Sequence, residues 1–151
     1  MKVLLRERWA EVSALIVKCL EEMGKPCRLD PKRYLAFEDS GGFFTVGLER
    51  DGRLVGFASI YVYLSMLDQE MEAQDHLFYL LPEYRKGWNA LVLLREVENE
   101  CRARGVKSLL LTATTFQTEG ILSGRGYGKT ASSFEKKFGP TALPQPKEAV
   151  A

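Results

Sequence analysis

The stretch that decides the fold is Leu77-Phe78-Tyr79-Leu80-Leu81-Pro82-Glu83-Tyr84-Arg85-Lys86-Gly87-Trp88-Asn89-Ala90-Leu91. Its first five residues are apolar on both faces of an extended chain, as expected of a strand buried at the centre of a sheet. Pro82 ends that run. Beyond it Ala90, Leu91, Leu94, Val97 and Cys101 recur at helical spacing, which predicts a helix over 89–104. Gly105 caps its C-terminus, and Arg102 and Arg104 suit the negative end of its dipole. A buried strand that opens a helix through a short loop leaves several backbone N–H groups unpaired. The helix dipole adds partial positive charge there, and Arg85 and Lys86 add two full charges. Gly87 lets the backbone come close to a ligand. Such a place suits a pyrophosphate, with each N–H bond to a charged oxygen contributing about 1.5–3 kcal/mol. An ordinary strand-to-helix turn with solvated Arg and Lys has the same pattern. No Gly-Lys-Ser/Thr closes the loop and no GxGxxG occurs, so neither a Walker loop nor a dinucleotide fingerprint is present.

Upstream, Val12, Leu15, Ile16, Cys19, Leu20 and Met23 predict an amphipathic helix over 5–23, stopped by Gly24 and Pro26. Asp30-Pro31 is an N-cap followed by Pro at the first helical position, so a second short helix starts there and ends at Gly41-Gly42. Residues 43–50 read as a strand, Asp51-Gly52 as a two-residue hairpin turn, and 53–64 as the return strand. Residues 65–72 are polar and read as a loop or strand edge. Downstream, 106–113 is a further strand and 117–124 a short helix, and one or two strands end near Phe138. The order is α-α-β-β-β-α-β-α-β, an α/β domain with a single mixed sheet and helices on both faces. It spans 1–138, and the Pro-containing segment 139–151 reads as a flexible tail.

Composition limits the partners. The 151 residues suit one domain, and 46 % of them are apolar, enough for a core. Lys plus Arg total 21 against 20 Asp plus Glu, so nothing drives the whole chain toward nucleic acid or a membrane. Lys136-Lys137 with Lys86 and Arg95 is too small a basic set to offset that balance. No apolar run nears the ~20 residues of a membrane span, and no secretory signal is visible, so a cytoplasmic location is the expectation. Cys19, Cys27 and Cys101 are odd in number and lack CxxC spacing, and His76 is the only histidine, so no disulfide framework and no metal site are expected. Cys19 and Cys101 read as small core residues.

The run Leu80-Leu81-Pro82-Glu83-Tyr84-Arg85 resembles the core of the GNAT N-acetyltransferases. There a strand, Pro-x-x-Arg/Gln, a pyrophosphate loop of the form Arg/Gln-x-x-Gly-x-Gly/Ala and a helix follow in that order. Arg85 matches the first loop position and Ala90 the last. Leu93-Leu94 with Glu96 to Glu100 looks like the family helix, and Leu109-Leu110-Leu111 like its next strand. Leu122-Ser123-Gly124-Arg125-Gly126-Tyr127 resembles the closing Tyr-x-x-x-Gly-Phe segment. The resemblance covers about 50–138. Trp88 stands where the family has Gly, so its side chain must point away from the phosphates. The run Arg85-Lys86-Gly87 looks like a phage and prophage variant that lacks the same Gly. Leu122 replaces a Tyr that protonates the leaving thiolate in many members, and Thr115 is the nearest match to a family Asn.

The resemblance implies acetyl-CoA as cofactor and direct attack of a primary amine on its thioester. Cofactor contacts are then expected from the backbone of Tyr79, Leu80 and Leu81, because a splayed central strand leaves N–H and C=O groups free, and from the loop residues Arg85, Lys86, Gly87, Trp88, Asn89 and Ala90. The reaction needs a base for the ammonium, stabilisation of the oxyanion and an acid for the thiolate. Asp75 is the favoured base, with Glu72 and His76 as rivals and a solvated strand end as the plain alternative. Ser123 and Tyr127 are the acid candidates, although Tyr127 also reads as core packing. Phe57, Tyr61 and Tyr63 alternate along one strand and either line an acceptor cleft or pack beneath a helix. The acceptor is a small-molecule or protein amine, and a homodimer is compatible with this reading. A catalytically silent acyl-CoA-binding sensor or assembly module is the alternative, kept open by Leu122 and Trp88.

Overall fold

The structure, a computed structural model, describes residues 1–113 and 116–139. Its contacts divide the chain into two units, Met1–Thr112 and Ala113–Ala151. The first unit runs β1 (Lys2–Val3), α1 (Leu5–Glu22), α2 (Pro31–Asp39), β2 (Phe43–Arg50), β3 (Arg53–Leu64), β4 (Met71–Leu80), α3 (Asn89–Ala103) and β5 (Ser108–Leu110). Among the described residues these strands form one five-stranded sheet in the order β1-β2-β3-β4-β5. All pairs are antiparallel except β4 and β5, which are parallel, so the sheet is mixed.

Local chemistry sets the boundaries. The Asp30 carboxylate accepts from the Lys32 N–H at 3.1 Å and Pro31 follows at the first helical position, which starts α2. Asp51 and Gly52 both take positive φ, the conformation a two-residue hairpin turn requires. Neighbouring β2 residues point to opposite faces. Phe43 packs edge-on to Tyr34 of α2, with ring centroids 5.8 Å apart. Phe44 lies under the guanidinium of Arg104, at the end of α3, at 4.8 Å. Helices therefore cover both faces. The core between them holds fully buried Phe43, Phe44, Phe57, Ile16, Ile60 and Leu93, each contributing about 1.5–3 kcal/mol on burial. Cys19 and Cys101 are buried in it, as their helix positions implied.

Three elements differ from the sequence expectation. β1 is only two residues long, too short for any periodicity to reveal. β4 begins at Met71 rather than at 77, because Met71 and Ala73 alternate with Glu72 and Gln74 until an irregularity interrupts the pattern. β5 is three residues long instead of eight, because its pairing stops at Gln74 opposite Leu110.

The second unit carries α4 (Phe116–Gly124), close to the predicted helix. Residues 125–139 hold no strand, so the expected closing strands are absent among the described residues. Phe134 and Phe138 are exposed there, and a strand without a neighbour to pair with has no source of stability. Thr115 and residues 140–151, most of the expected tail, lie outside the described residues. No described helix is long and apolar enough to cross a membrane.

Candidate active site

The site is built around β4. The register pairs Leu77 with Ser59 and Asp75 with Ile60, so His76 is an extra residue, a β-bulge. Before the bulge the Met71 carbonyl accepts from Lys107 at 2.8 Å, on the β5 side. After it the Leu81 N–H reaches the Val55 carbonyl at 2.9 Å, on the β3 side. Odd-numbered residues thus turn from β5 to β3 across the bulge. By the antiparallel alternation, Tyr79 and Leu81 bond toward β3 while Phe78 and Leu80 present N–H and C=O to the other edge. Among the described residues that edge has no strand beside it, because β5 pairs only with Glu72, Ala73 and Gln74. Of the three backbone positions expected to contact cofactor, only Leu80 faces the open edge. Phe78 joins it, and the bulge that brings it there has no signature in the sequence.

The open edge leads into the loop before α3. Pro82–Tyr84 forms a single 3-10 turn, and Gly87 takes φ +72. The first bond of α3 runs from Val92 N–H to the Trp88 carbonyl at 2.9 Å. No backbone acceptor meets the N–H groups of residues 86–91 among the described residues. Asn89 fixes this arc, donating to the Tyr84 carbonyl at 3.0 Å and accepting from Arg50 at 2.9 Å. The Trp88 side chain is 76 % exposed, so its bulk leaves the loop open.

Arg85 is bound rather than free. Its Nε donates to the Leu80 carbonyl at 2.8 Å, its second guanidinium nitrogen meets the Glu22 carboxylate at 2.6 Å, and its Cζ lies 5.4 Å from the Tyr79 ring centroid. The Tyr79 hydroxyl donates to the other Glu22 oxygen at 2.7 Å. Hydrogen bonds from Arg85 and Tyr79 hold Glu22 below the usual carboxylate range. Burial and the carboxylate beside it push Tyr79 up to about 12. Glu22, the end of α1, therefore clamps the end of β4, a role its place in a charged helix end does not reveal. Lys86 has no ion pair among the described residues, so its charge remains available at the loop.

On the α1–α2 face, alternation from Gln74, which pairs with Tyr61, places His76 in an aromatic cluster. Its Nε2 lies 2.8 Å from the Tyr34 hydroxyl and its Nδ1 3.1 Å from that of Tyr61. Phe43 packs against the imidazole with centroids 5.7 Å apart. Burial holds His76 below its ordinary range, against a smaller opposing pull from the Asp75 charge. These rings, with Phe37, line a cavity of about 300 Å³ edged by Arg28, Asp30 and Arg33. Tyr61 faces this cavity, Phe57 is fully buried and Tyr63 is exposed, so the suspected aromatic stripe divides into three environments. Asp75 points elsewhere. Its two oxygens accept from the N–H and hydroxyl of Thr112 at 3.0 and 3.3 Å, pinning the chain beyond β5. In the second unit Ser123 is exposed, and Tyr127 is half-buried with its N–H on the Leu122 carbonyl at 3.1 Å.

A mixed sheet whose fourth and fifth strands part beside an unpaired helix N-terminus defines the class of fold to which this chain belongs. A sequence model of the acetyltransferase (GNAT) family matches residues 9–120, and the chain belongs to that family. Solved structures agree on the fold. A ribosomal-protein-alanine N-acetyltransferase from Brucella melitensis biovar Abortus 2308 superposes with a TM-score of 0.70 at 18 % identity, covering 91 % of this chain and 98 % of its own. Glucosamine-6-phosphate N-acetyltransferase from Arabidopsis thaliana gives 0.73 at 10 % identity, with 92 % and 97 % covered. A predicted acetyltransferase with acetyl-CoA from Clostridium acetobutylicum gives 0.70 at 15 %, with 91 % and 94 % covered. A search of curated protein sequences found no match.

Proposed function

We propose that the chain transfers an acetyl group from acetyl-CoA to a primary amine. The observation that carries this reading is the continuity of free backbone groups from the open edge of β4, at Phe78 and the Leu80 N–H, to the N–H arc of residues 86–91. A pantetheine arm is an amide chain and pairs with a strand edge as a strand would, and a diphosphate suits the arc. Lys86, Gly87, Trp88, Asn89 and Ala90 would hold the diphosphate, with Lys86 supplying the free charge. Arg85 acts one step back by fixing the Leu80 carbonyl. When bound, the cofactor supplies an activated thioester carbonyl.

The acceptor would enter on the face of His76. Its imidazole, kept neutral at neutral pH by burial, has a lone pair for a proton from the incoming ammonium. Tyr34 and Tyr61 fix the ring and offer hydroxyls through which that proton can pass. The same desolvation lowers the pKa of an ammonium in the cavity, which narrows the gap between donor and base. Asp75 supports this arrangement by holding Thr112 and by partly offsetting the burial of His76. Leu122 stands at the position of the family's acid Tyr, so Ser123 and Tyr127 are the candidates for protonating the thiolate. The structural relatives include enzymes named for a protein alanine and for a sugar amine phosphate, so the family fold is compatible with several acceptors.

Two measurements test the reading together. Acetyl-CoA should raise the melting temperature, and free thiol should accumulate when an amine panel is added. An unmoved melting curve at millimolar cofactor overturns the proposal. Stabilisation without thiol release assigns the chain to a silent binder instead.

A further inference from the structure

The cavity beside His76 is graded in both depth and charge. Phe43, on its floor, is 2 % exposed, His76 and Tyr61 are half-buried, and Arg28 and Arg33 at its edge are exposed. Neither arginine has an ion pair among the described residues. By contrast, Arg6 meets Asp39 at 2.6 Å, and Arg8 meets Glu11 and Glu49 at 2.9 and 2.6 Å. Asp30 is the one carboxylate among the lining residues, and its Oδ1 is already bound to the Lys32 N–H. Two guanidiniums against one carboxylate leave the mouth with a net charge of +1, while the neutral imidazole adds none to the floor.

We propose that this cavity takes a small amine that also carries an oxyanion, a carboxylate or a phosphate, held at the mouth by Arg28 and Arg33 while the amine lies against the aromatic floor at His76. The inference rests on the acetyltransfer reading and names its acceptor class. The forked guanidinium matches carboxylate and phosphate alike. Tyr34, Phe43 and Tyr61 line the floor with aromatic rings, and an ammonium over a ring face is attracted to it. A polyamine would instead set like charges against the mouth. A volume of about 300 Å³ lies at the small end of ligand sites, too small for a bulky polycation. In the reaction the ammonium gives its first proton to His76, and the freed lone pair forms the C–N bond. The C–S bond breaks with its electron pair on sulfur, and the second amine proton goes to that thiolate. The products are the amide and the free thiol, and His76 returns its proton to water.

The test is calorimetric binding of aminohexanoate, aminohexyl phosphate, hexylamine and spermidine to the full chain and to an Arg28→Gln/Arg33→Gln variant. Both positions are exposed, so the variant should keep the wild-type melting temperature. At least one of the two anionic amines should bind roughly tenfold tighter than hexylamine, with spermidine weakest, and the double variant should erase the gap. The carboxylate and phosphate arms then tell which oxyanion is preferred. Equal binding of hexylamine, tighter binding of spermidine, or a preference that survives in the variant overturns the proposal. Thiol release read on the same panel separates the two readings: selective binding with no release of thiol overturns the acetyltransfer reading and leaves the selectivity of the cavity standing.

Discussion

The two sides of β4 are made of different parts of the chain. Toward the open edge and the start of α3, the candidate cofactor site is almost entirely backbone: Phe78 and Leu80 on the strand, then the N–H arc of residues 86–91. Toward α2, the candidate acceptor site is almost entirely side chain, with His76, Tyr34, Tyr61 and Phe43 contributed by three strands and a helix. A site of backbone groups is set by geometry and tolerates many side chains, which is why an exposed Trp88 can stand at the helix cap. A site of side chains is set by residue identity and defines a particular ligand.

Substitutions that separate geometry from identity put this contrast at risk. The largest effect is expected at Gly56. A Cβ there would collide with Leu80 Cδ2 and stand 2.8 Å from the Tyr79 carbonyl oxygen, so the end of β4 must shift. Gly56→Ala should cost about 1–3 kcal/mol in chemical denaturation and weaken acetyl-CoA binding together with stability. Unchanged stability would mean that the strand is not held as described.

Gly87→Ala comes next. Nothing lies within 4 Å of the added Cβ, so the cost is conformational, about 1–2 kcal/mol at φ +72. Cofactor affinity should fall while amine binding at the His76 cavity stays constant. A loss on both sides would dissolve the distinction between them.

The acceptor side is probed by pH. His76 has a folded pKa below the ordinary 6.5, so the unfolded chain binds more protons between the two values. The stability His76 contributes is present above 6.5 and is lost as pH falls through the lower, folded value. Melting temperature should drop across that window in the wild type and drop less in His76→Gln. Acetyl transfer should lose its acid limb at the same folded pKa, and matching pH profiles in the two proteins would remove His76 from the chemistry. Trp88→Ala should change least, within about 0.5 kcal/mol, because its side chain packs on nothing that folding needs.

The same division governs what the sequence disclosed. The strand, Pro82 and the helix from residue 89 marked the candidate cofactor loop, because turn chemistry and apolar period are local properties. The bulge at His76 is not local: it appears only when β4 is laid against β3, and it decides that Phe78 and Leu80 face the open edge. Glu22 was likewise hidden, since its link to Arg85 and Tyr79 spans more than fifty residues of chain. The candidate acceptor cavity joins positions from 28 to 76, and spacing along the chain does not reveal such a set. Asp75 and His76 are adjacent in sequence and point to Thr112 and to the aromatic cluster respectively, as neighbours on a strand do.

The central claim is that the backbone arc before α3 grips a diphosphate. Calorimetric titration with coenzyme A and with pantetheine, which lacks the diphosphate and nucleotide, tests it most directly. Coenzyme A should bind at least ~100-fold more tightly, about 2.7 kcal/mol, and Lys86→Ala should remove part of that margin. Equal affinity for the two ligands would contradict the account.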